Sequence, residues 1–192
     1  MPLPVVVVLA AGKGRRFLAS GGAGHKLSAP LAGMSVLDHV LLAVAEAGLS
    51  VHVVRQADGE GMGDSIAAGV RATADAAGWL ILPGDLPLVR AASLRAVAAG
   101  LQQGTVVVPH HDGQAGHPVG FSRACAAALC ALTGDHGAAS VVQAERLGGR
   151  VVDIALDDPG LITDVDTHDD LLRVQTMLMS ASILQGECHG KH

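Results

Sequence analysis

Five consecutive apolar residues, Val5-Val-Val-Val-Leu9, run directly into Ala10-Ala-Gly-Lys-Gly-Arg-Arg16. An unbroken run, in place of an apolar/polar alternation, belongs to a strand covered on both faces within a parallel sheet. Such a strand needs helices above and below it, and its carboxyl end is where open α/β sheets bind ligands. Small residues at that point let backbone N–H groups approach a phosphate chain. No basic residue precedes the run and it passes straight into a charged glycine loop, so it reads as a buried strand and not as a leader segment.

The rest of the chain repeats the strand-then-helix rhythm. Residues 36–47 carry helical apolar spacing at Leu37, Val40, Leu41 and Val44, with Gly48 just past the end as a C-cap. A strand is expected over 51–54, a helix over 63–77, a strand over 79–82, a helix over 91–103 and a strand over 105–108. The second half is less regular: a short strand at 119–121, helices over 123–132 and 138–147, a strand over 151–155 and a closing helix over 167–179. Short connections between these elements predict a three-layer α/β/α, Rossmann-like, doubly wound and mostly parallel sheet with right-handed crossovers. The 192 residues suffice for one substantial core. A single domain is expected over 1–181, followed by a frayed tail over 182–192 that contains Cys188, His189 and His192.

Composition narrows the function. With 18 acidic against 13 basic residues, a net charge of −5 and no basic cluster larger than Arg15-Arg16, the electrostatic footprint of a nucleic-acid binder is missing. One Trp, two Phe and no Tyr provide no stacking platform for single strands. No stretch approaches the roughly 20 apolar residues needed to span a bilayer. Cys125, Cys130 and Cys188 make an odd number without a CxxC pair, which points to a reducing compartment, the cytoplasm. A small-molecule substrate fits these limits best.

Two familiar phosphate-binding patterns fail on spacing. A dinucleotide fingerprint requires Gly where Phe17 stands, and a Walker A loop requires Gly-Lys-Ser/Thr, whereas Gly24-His-Lys-Leu-Ser28 displaces both the Lys and the Ser. The segment Leu9-Ala-Ala-Gly-Lys-Gly-Arg-Arg16, followed by Lys26-Leu27, instead resembles the opening of the MobA/MocA-like nucleotidyltransferases, in particular their cytidylyltransferase branch. The resemblance continues through Gly61-Met-Gly-Asp-Ser65, Pro83-Gly-Asp-Leu-Pro87, Gly116-His-Pro-Val119, Gly134-Asp-His-Gly-Ala138 and Asp164-Val-Asp-Thr167, and spans residues 5–172. It implies the nucleotide-diphospho-sugar transferase type of fold, a nucleoside triphosphate as donor, Mg²⁺ as cofactor and a phosphorylated, molybdopterin-like small molecule as acceptor. A downstream molybdoenzyme or chaperone would take the product.

The residue chemistry agrees with that class. Nucleotidyl transfer builds negative charge on the α-phosphate and on departing pyrophosphate, so it needs fixed cations. Arg16 and Lys26 supply them, and the resemblance assigns both to the triphosphate, with Leu9, Ala10, Ala11, Gly12 and Gly14 forming the loop beneath. The strand over 79–82 delivers Asp85 to the same sheet edge, where a carboxylate can hold Mg²⁺. By resemblance Asp85 is a catalytic metal ligand and Asp166 the second metal contact; alternation along Asp164-Val-Asp166 turns one carboxylate inward while Thr167 caps the next helix. Ser65 is the candidate for the base or ribose, or else part of an ordinary helix start. His117 and Asp135 are candidates for the acceptor side, His117 alternatively serving as a structural hydrogen bonder. A phosphate acceptor is already an anion near neutral pH, so no catalytic base is required.

The chain also departs from the family's pattern. Ala11 stands where the guanylyltransferase branch carries Gly, which favours cytidine over guanosine. Phe17 replaces a methionine, and the stretch between Arg16 and Lys26 is longer than usual and Gly-rich, suggesting a mobile lid. Ala139 replaces an Arg, removing one expected anion contact, and His168 replaces a Pro. The expectation is CMP transfer from CTP. Guanylyl transfer, a cytidylyltransferase serving an isoprenoid or sugar-alcohol intermediate, and a non-catalytic nucleotide-binding domain are the alternatives.

Overall fold

A computed structural model describes residues 3–57, 59 and 61–188, with 181–188 described through their backbone only. Strand β1 (Val5–Leu9) leads through the glycine loop into a short helix, α1 (Arg15–Ala19), a 3-10 turn (Lys26–Ser28) and a hairpin of β2 (Pro30–Leu31) with β3 (Met34–Ser35). Helix α2 (Val36–Glu46), β4 (Ser50–Val54), α3 (Met62–Ala72) and β5 (Gly78–Pro83) follow. Next come α4 (Ala91–Gly100), β6 (Val106–His111), β7 (Gln114–Ala115) and β8 (Val119–Ser122). The last elements are α5 (Ala126–Cys130), α6 (Ala139–Leu147), β9 (Val151–Ala155) and α7 (His168–Cys188).

The main sheet has the order β4-β1-β5-β8-β6-β7, with β9 alongside β6. Strand β1 is not central but second from the edge, between β4 and β5 and parallel to both, and β9 is parallel to β6. Strand β8 is inserted antiparallel between β5 and β6. The pleat of β1 and β5 divides their side chains between two cores. Val6, Val8, Leu80 and Leu82 pack under α2, α4 and α7, through residues such as Val40, Leu94 and Val174. Val7, Trp79, Ile81 and Phe121 pack against Ile66, Leu129 and Val141 of α3, α5 and α6. Burial of each such side chain contributes about 1.5–3 kcal/mol. Both faces of β1 are filled for this reason, and the expected three-layer α/β architecture is the result.

Several boundaries differ from the sequence expectation. Helix α3 ends at Ala72 because the Thr73 hydroxyl donates back to the Gly69 carbonyl (2.8 Å) and accepts from Trp79 Nε1 (2.9 Å), tying the turn to β5. Helix α4 ends at Gly100, and the helix expected over 123–132 divides into a 3-10 turn (Arg123–Cys125) and α5. Strand β6 extends to His111 and reverses through Asp112 and Gly113, both at positive φ (48° and 79°), into β7. Helix α7 continues past the expected end at Met179 to Cys188, while His189 and His192 lie outside the described residues.

The segment read as a mobile lid is folded. Gly14, with φ 59° and ψ 28°, starts α1 in a left-handed conformation that favours glycine. Phe17 is only 1% exposed, inside the core that holds α2 and α7. Ser20 Oγ donates to the Phe17 carbonyl (2.9 Å) and accepts from His168 N (2.8 Å), which fastens the end of α1 to the start of α7. Burial of the aromatic ring that replaced a flexible methionine accounts for the difference.

One buried carboxylate joins the start of α4 to the turn that leads into the site. Asp158, 1% exposed, accepts from Ser93 Oγ (2.6 Å), Arg90 N (3.0 Å) and Gly160 N (2.9 Å). It thereby caps α4 and fixes the 3-10 turn Pro159–Leu161 that leads into residues 164–166. Replacement by alanine leaves those donors without an acceptor. The Asp158→Ala variant is expected to lose about 3 kcal/mol, a fall in melting temperature of roughly 6–12 °C, measured by thermal unfolding; a loss under about 1 kcal/mol would contradict this role.

Candidate functional site

The carboxyl ends of β1 and β5 carry the glycine loop and Asp85 to one edge of the sheet. Their junction is fixed by backbone bonds, from Gly84 N to the Leu9 carbonyl (3.0 Å) and from Val165 N to the Asp85 carbonyl (2.9 Å). Three loops that are remote in sequence thus meet at one point. Lys26 lies at their centre. Its Nζ donates to Asp85 Oδ2 at 2.6 Å and to Asp166 Oδ1 at 2.7 Å, and Arg16 Nη1 donates to the other oxygen of Asp166. Lys26 is mostly enclosed, with 13% of its side chain exposed, whereas the Arg16 side chain is 80% exposed at the mouth.

The charges of this cluster depend on one another. Burial alone would lower the Lys26 pKa, but Asp85 and Asp166 outweigh it and hold the ammonium above its usual pKa. Burial, with Asp166 and Asp85 adding repulsion, pushes the Asp164 carboxyl above the usual carboxylate range. Asp164 lines the cavity together with Asp166, so the expected division of the pair into one inward and one outward carboxylate does not hold. The physical reason is local. Residues 163–166 follow a 3-10 turn and have no strand pleat to alternate them.

The glycine loop is held from outside by His25, a residue the sequence reading passed over. Its Nδ1 accepts from Leu27 N (3.3 Å), which leaves the ring proton on Nε2 to donate to the Gly12 carbonyl (2.6 Å). The imidazole therefore couples the loop to the turn that carries Lys26. Ala10 stands behind the wall with its N–H bonded to the Val54 carbonyl (2.8 Å), and a Cβ on Gly14 would lie 3.5 Å from the Lys26 backbone nitrogen.

Among the expected nucleotide residues, Leu9, Ala11, Gly12, Arg16, Lys26, Ser65 and Asp85 line one cavity of about 530 Å³. Ser65 is buried, and its hydroxyl donates to the Gly61 carbonyl (3.2 Å). Asp64 ties the start of α3 to the segment after α5 by accepting from Gly61 N (3.0 Å) and Gly134 N (3.2 Å). These loops approach so closely that a Cβ on Gly61 would lie 2.1 Å from the Gly134 carbonyl carbon. His117 reaches this cavity and an adjoining one, while Asp135 lines only the second. Burial lowers the His117 pKa, with Asp85 pulling the other way, so the ring is neutral at pH 7; its Nδ1 has no hydrogen-bond partner. Gln114 also enters the first cavity, delivered by the β6–β7 turn. The Asp112-Gly113 pair was the available signal, since Asp-Gly favours a two-residue hairpin turn.

Whether the acidic residues suit a divalent ion can be judged from their positions. Among the described residues no three His, Cys, Asp or Glu side chains form a metal cage. Mg²⁺ does not ask for one, because it takes one or two carboxylates and fills its octahedron with water and phosphate oxygens. Asp85 and Asp166 already share one cation, the Lys26 ammonium, so the pair fits such an ion. Among the described residues no helix is long and apolar enough to cross a membrane.

Removing the ammonium leaves the carboxylates facing each other. The raised pKa of Lys26 means that its contribution is complete below about pH 10.5 and is lost only as pH rises through its folded value. An assay at pH 7.5 therefore reads all of it. Lys26→Met is expected to cost about 2 kcal/mol there, less than the 3–5 kcal/mol of a fully buried pair. Mn²⁺ without nucleotide is expected to restore the variant's melting temperature while moving the wild type little. A variant as stable as wild type, or indifferent to Mn²⁺, would show that Lys26 does not balance the acidic cluster.

The sequence profile of the MobA-like NTP transferase domain matches residues 44–151. The chain is 30% identical over 201 aligned residues to purine catabolism protein PucB of Bacillus subtilis, covering 88% of this chain and 94% of that protein. Among solved structures, Rv0371c of Mycobacterium tuberculosis superposes with a TM-score of 0.73 at 26% identity, over 91% of this chain and 98% of its own. That protein has also been solved as a complex with manganese. A Methanothermobacter nucleotidyl transferase superposes with a TM-score of 0.78 over 93% of this chain and 99% of its own, and at 21% identity shows the fold. The chain belongs to the MobA-like NTP transferase domain family and is a nucleotidyltransferase.

Proposed function

We propose that the chain transfers CMP from CTP to a phosphorylated small-molecule acceptor of the molybdopterin type, releasing pyrophosphate, with Mg²⁺ held by Asp85 and Asp166. The observation that carries this reading is the meeting of Lys26 and Arg16 with those two carboxylates beneath the glycine loop. Cations held beside an acidic pair suit a reaction in which negative charge builds on the bridging oxygen as it departs with pyrophosphate. The manganese complex of Rv0371c supports a divalent ion in this fold.

In this mechanism Arg16, exposed and tethered through one carboxylate, turns toward the triphosphate and binds its outer oxygens. Lys26 leaves its carboxylate partners to meet the leaving group. The N–H groups of Ala11 and Gly12 border the phosphate chain, and the Ala11 methyl narrows the floor where the guanylyl branch has glycine, which favours the smaller base. The neutral His117, reaching both cavities, lies beside the acceptor phosphate without adding charge. That phosphate attacks the α-phosphate in line. Bound between Asp85 and Asp166, the ion would neutralise charge on the non-bridging oxygens.

The reducing cytoplasm is the compartment we assign, from cysteines that are free at Cys125 and Cys130. A molybdoenzyme or its chaperone would receive the product.

Calorimetric titration with CTP, GTP, ATP and UTP, each with Mg²⁺ and with the metal chelated, tests the donor. Selective, metal-dependent CTP binding is expected; preference for GTP would move the assignment to guanylyl transfer, and no triphosphate binding would overturn it. Asp85→Asn is expected to reduce turnover by about a thousandfold, with the fold intact by circular dichroism. Near-normal activity would remove Asp85 from the metal.

A further inference from the structure

The stretch between Arg16 and Lys26 is fastened at both ends. At the near end the Phe17 ring is buried, and Gly22 lies so close against it that a Cβ there would stand 2.2 Å from ring atom Cε1. The Gly22 N–H closes the turn on the Phe17 carbonyl at 3.0 Å, and the Phe17 and His168 rings meet edge to face with centroids 6.4 Å apart. At the far end stands His25. Its Nδ1 accepts from Leu27 N at 3.3 Å and caps the 3-10 turn that begins at Lys26, while Nε2 lies 2.6 Å from the Gly12 carbonyl oxygen. An amide N–H only donates and a carbonyl only accepts, so the two partners together select the neutral imidazole with its proton on Nε2.

Packing gives little hold on Gly12, since a Cβ there would meet no atom within 4 Å. Rotation of its backbone is checked instead by the hydrogen bond from His25. Ala11 and Gly12 line the nucleotide cavity with Lys26, whereas His25 is not among the described lining residues, so the bond draws the carbonyl oxygen toward a side chain outside the cavity. That direction matters for charge. A trans peptide plane presents its oxygen on one edge and its N–H on the other, and an oxygen turned toward a phosphate chain would meet like partial charge. Both hydrogen bonds come from one rigid ring, which fixes the spacing between the loop and the turn that carries Lys26.

We propose that His25 is a positioning residue for the donor: its imidazole keeps the Gly12 carbonyl oxygen off the path of the triphosphate and sets the glycine loop at a fixed spacing from Lys26. The inference rests on the reading above that the triphosphate lies along this loop, and it holds for any base. His25 acts through the loop backbone and does not touch the reacting atoms. A loop ordered in advance spares the triphosphate the cost of ordering it on binding. Two amide side chains divide the work of the imidazole. In His25→Asn the side-chain oxygen stands near the place of Nδ1 and accepts from Leu27 N as in an Asx turn, but the side chain is too short to reach Gly12. In His25→Gln the carboxamide nitrogen stands near the place of Nε2 and donates to the Gly12 carbonyl, while the cap on the turn is given up.

The test titrates the full chain and its His25→Asn, His25→Gln and His25→Ala variants with inorganic triphosphate and with CTP, GTP, ATP and UTP, all in the presence of Mg²⁺, and measures each melting temperature without ligand. His25→Asn is expected to melt with the wild type yet bind triphosphates about tenfold more weakly, as one lost hydrogen bond predicts. His25→Gln is expected to recover most of that affinity even where it melts earlier, and His25→Ala to lose both affinity and stability. Wild-type affinity in His25→Asn, no recovery in His25→Gln, or affinities that simply follow melting temperature across the variants would overturn the inference. If the wild type prefers a base other than cytosine while His25→Asn and His25→Gln behave as expected, the cytidylyl reading falls and the role of His25 stands. If CTP is preferred and all the variants bind it alike, the role of His25 falls and the cytidylyl reading stands; no triphosphate binding by the wild type would overturn both.

Discussion

The ammonium of Lys26, shared between Asp85 and Asp166, is the interaction on which the site depends. Without a cation at that point, the end of β5 and the segment before α7 would present like charges to each other inside a half-enclosed cavity. With it, three loops separated by up to 140 residues in sequence are drawn to one place. Pairing within an enclosed site is favourable only when every charge is matched, and here one ammonium serves two acids while Arg16 serves the second again. The fold below it supplies rigidity. Strand β1 is filled on both faces, and the backbone bonds from Gly84 and Val165 hold the loop ends to each other independently of the charges.

Balance of this kind also explains why the cluster is suited to exchange partners. In the proposed reaction the bridging lysine stands where a divalent ion would be held. A nucleotide arriving with its own ion offers the acids a stronger partner and offers the lysine a phosphate. Both trades replace one ion pair by another without exposing an uncompensated charge.

Much of this arrangement could be read from the sequence. The valine run of β1 and the apolar strand before Asp85 reported both their burial and the edge at which they end, because a parallel strand must deliver its ligand residues at its carboxyl end. The linear pattern could not report side-chain destinations that depend on distant contacts. Phe17 looked like part of a loose glycine-rich stretch until α2 and α7 were present to enclose it. The strand alternation expected along Asp164-Val-Asp166 is abolished by the preceding 3-10 turn. His25 carried no signal beyond its proximity to Lys26, and Gln114 was reachable only through the Asp-Gly turn that carries it.

Strand β8 separates the two halves of the site in a way that bears on how such a chain changes. Parallel strands bring their ends to the ligand edge, but a reversed strand brings its beginning there. The segment entering β8, with Gln114, Ala115 and His117, therefore hangs from the β6–β7 hairpin and shares no loop with the triphosphate residues. Insertions or substitutions in that hairpin can reshape what lies opposite the nucleotide while β1, β5 and their loops keep their geometry. The proposed donor and acceptor halves of the site would then be divided by the direction of a single strand.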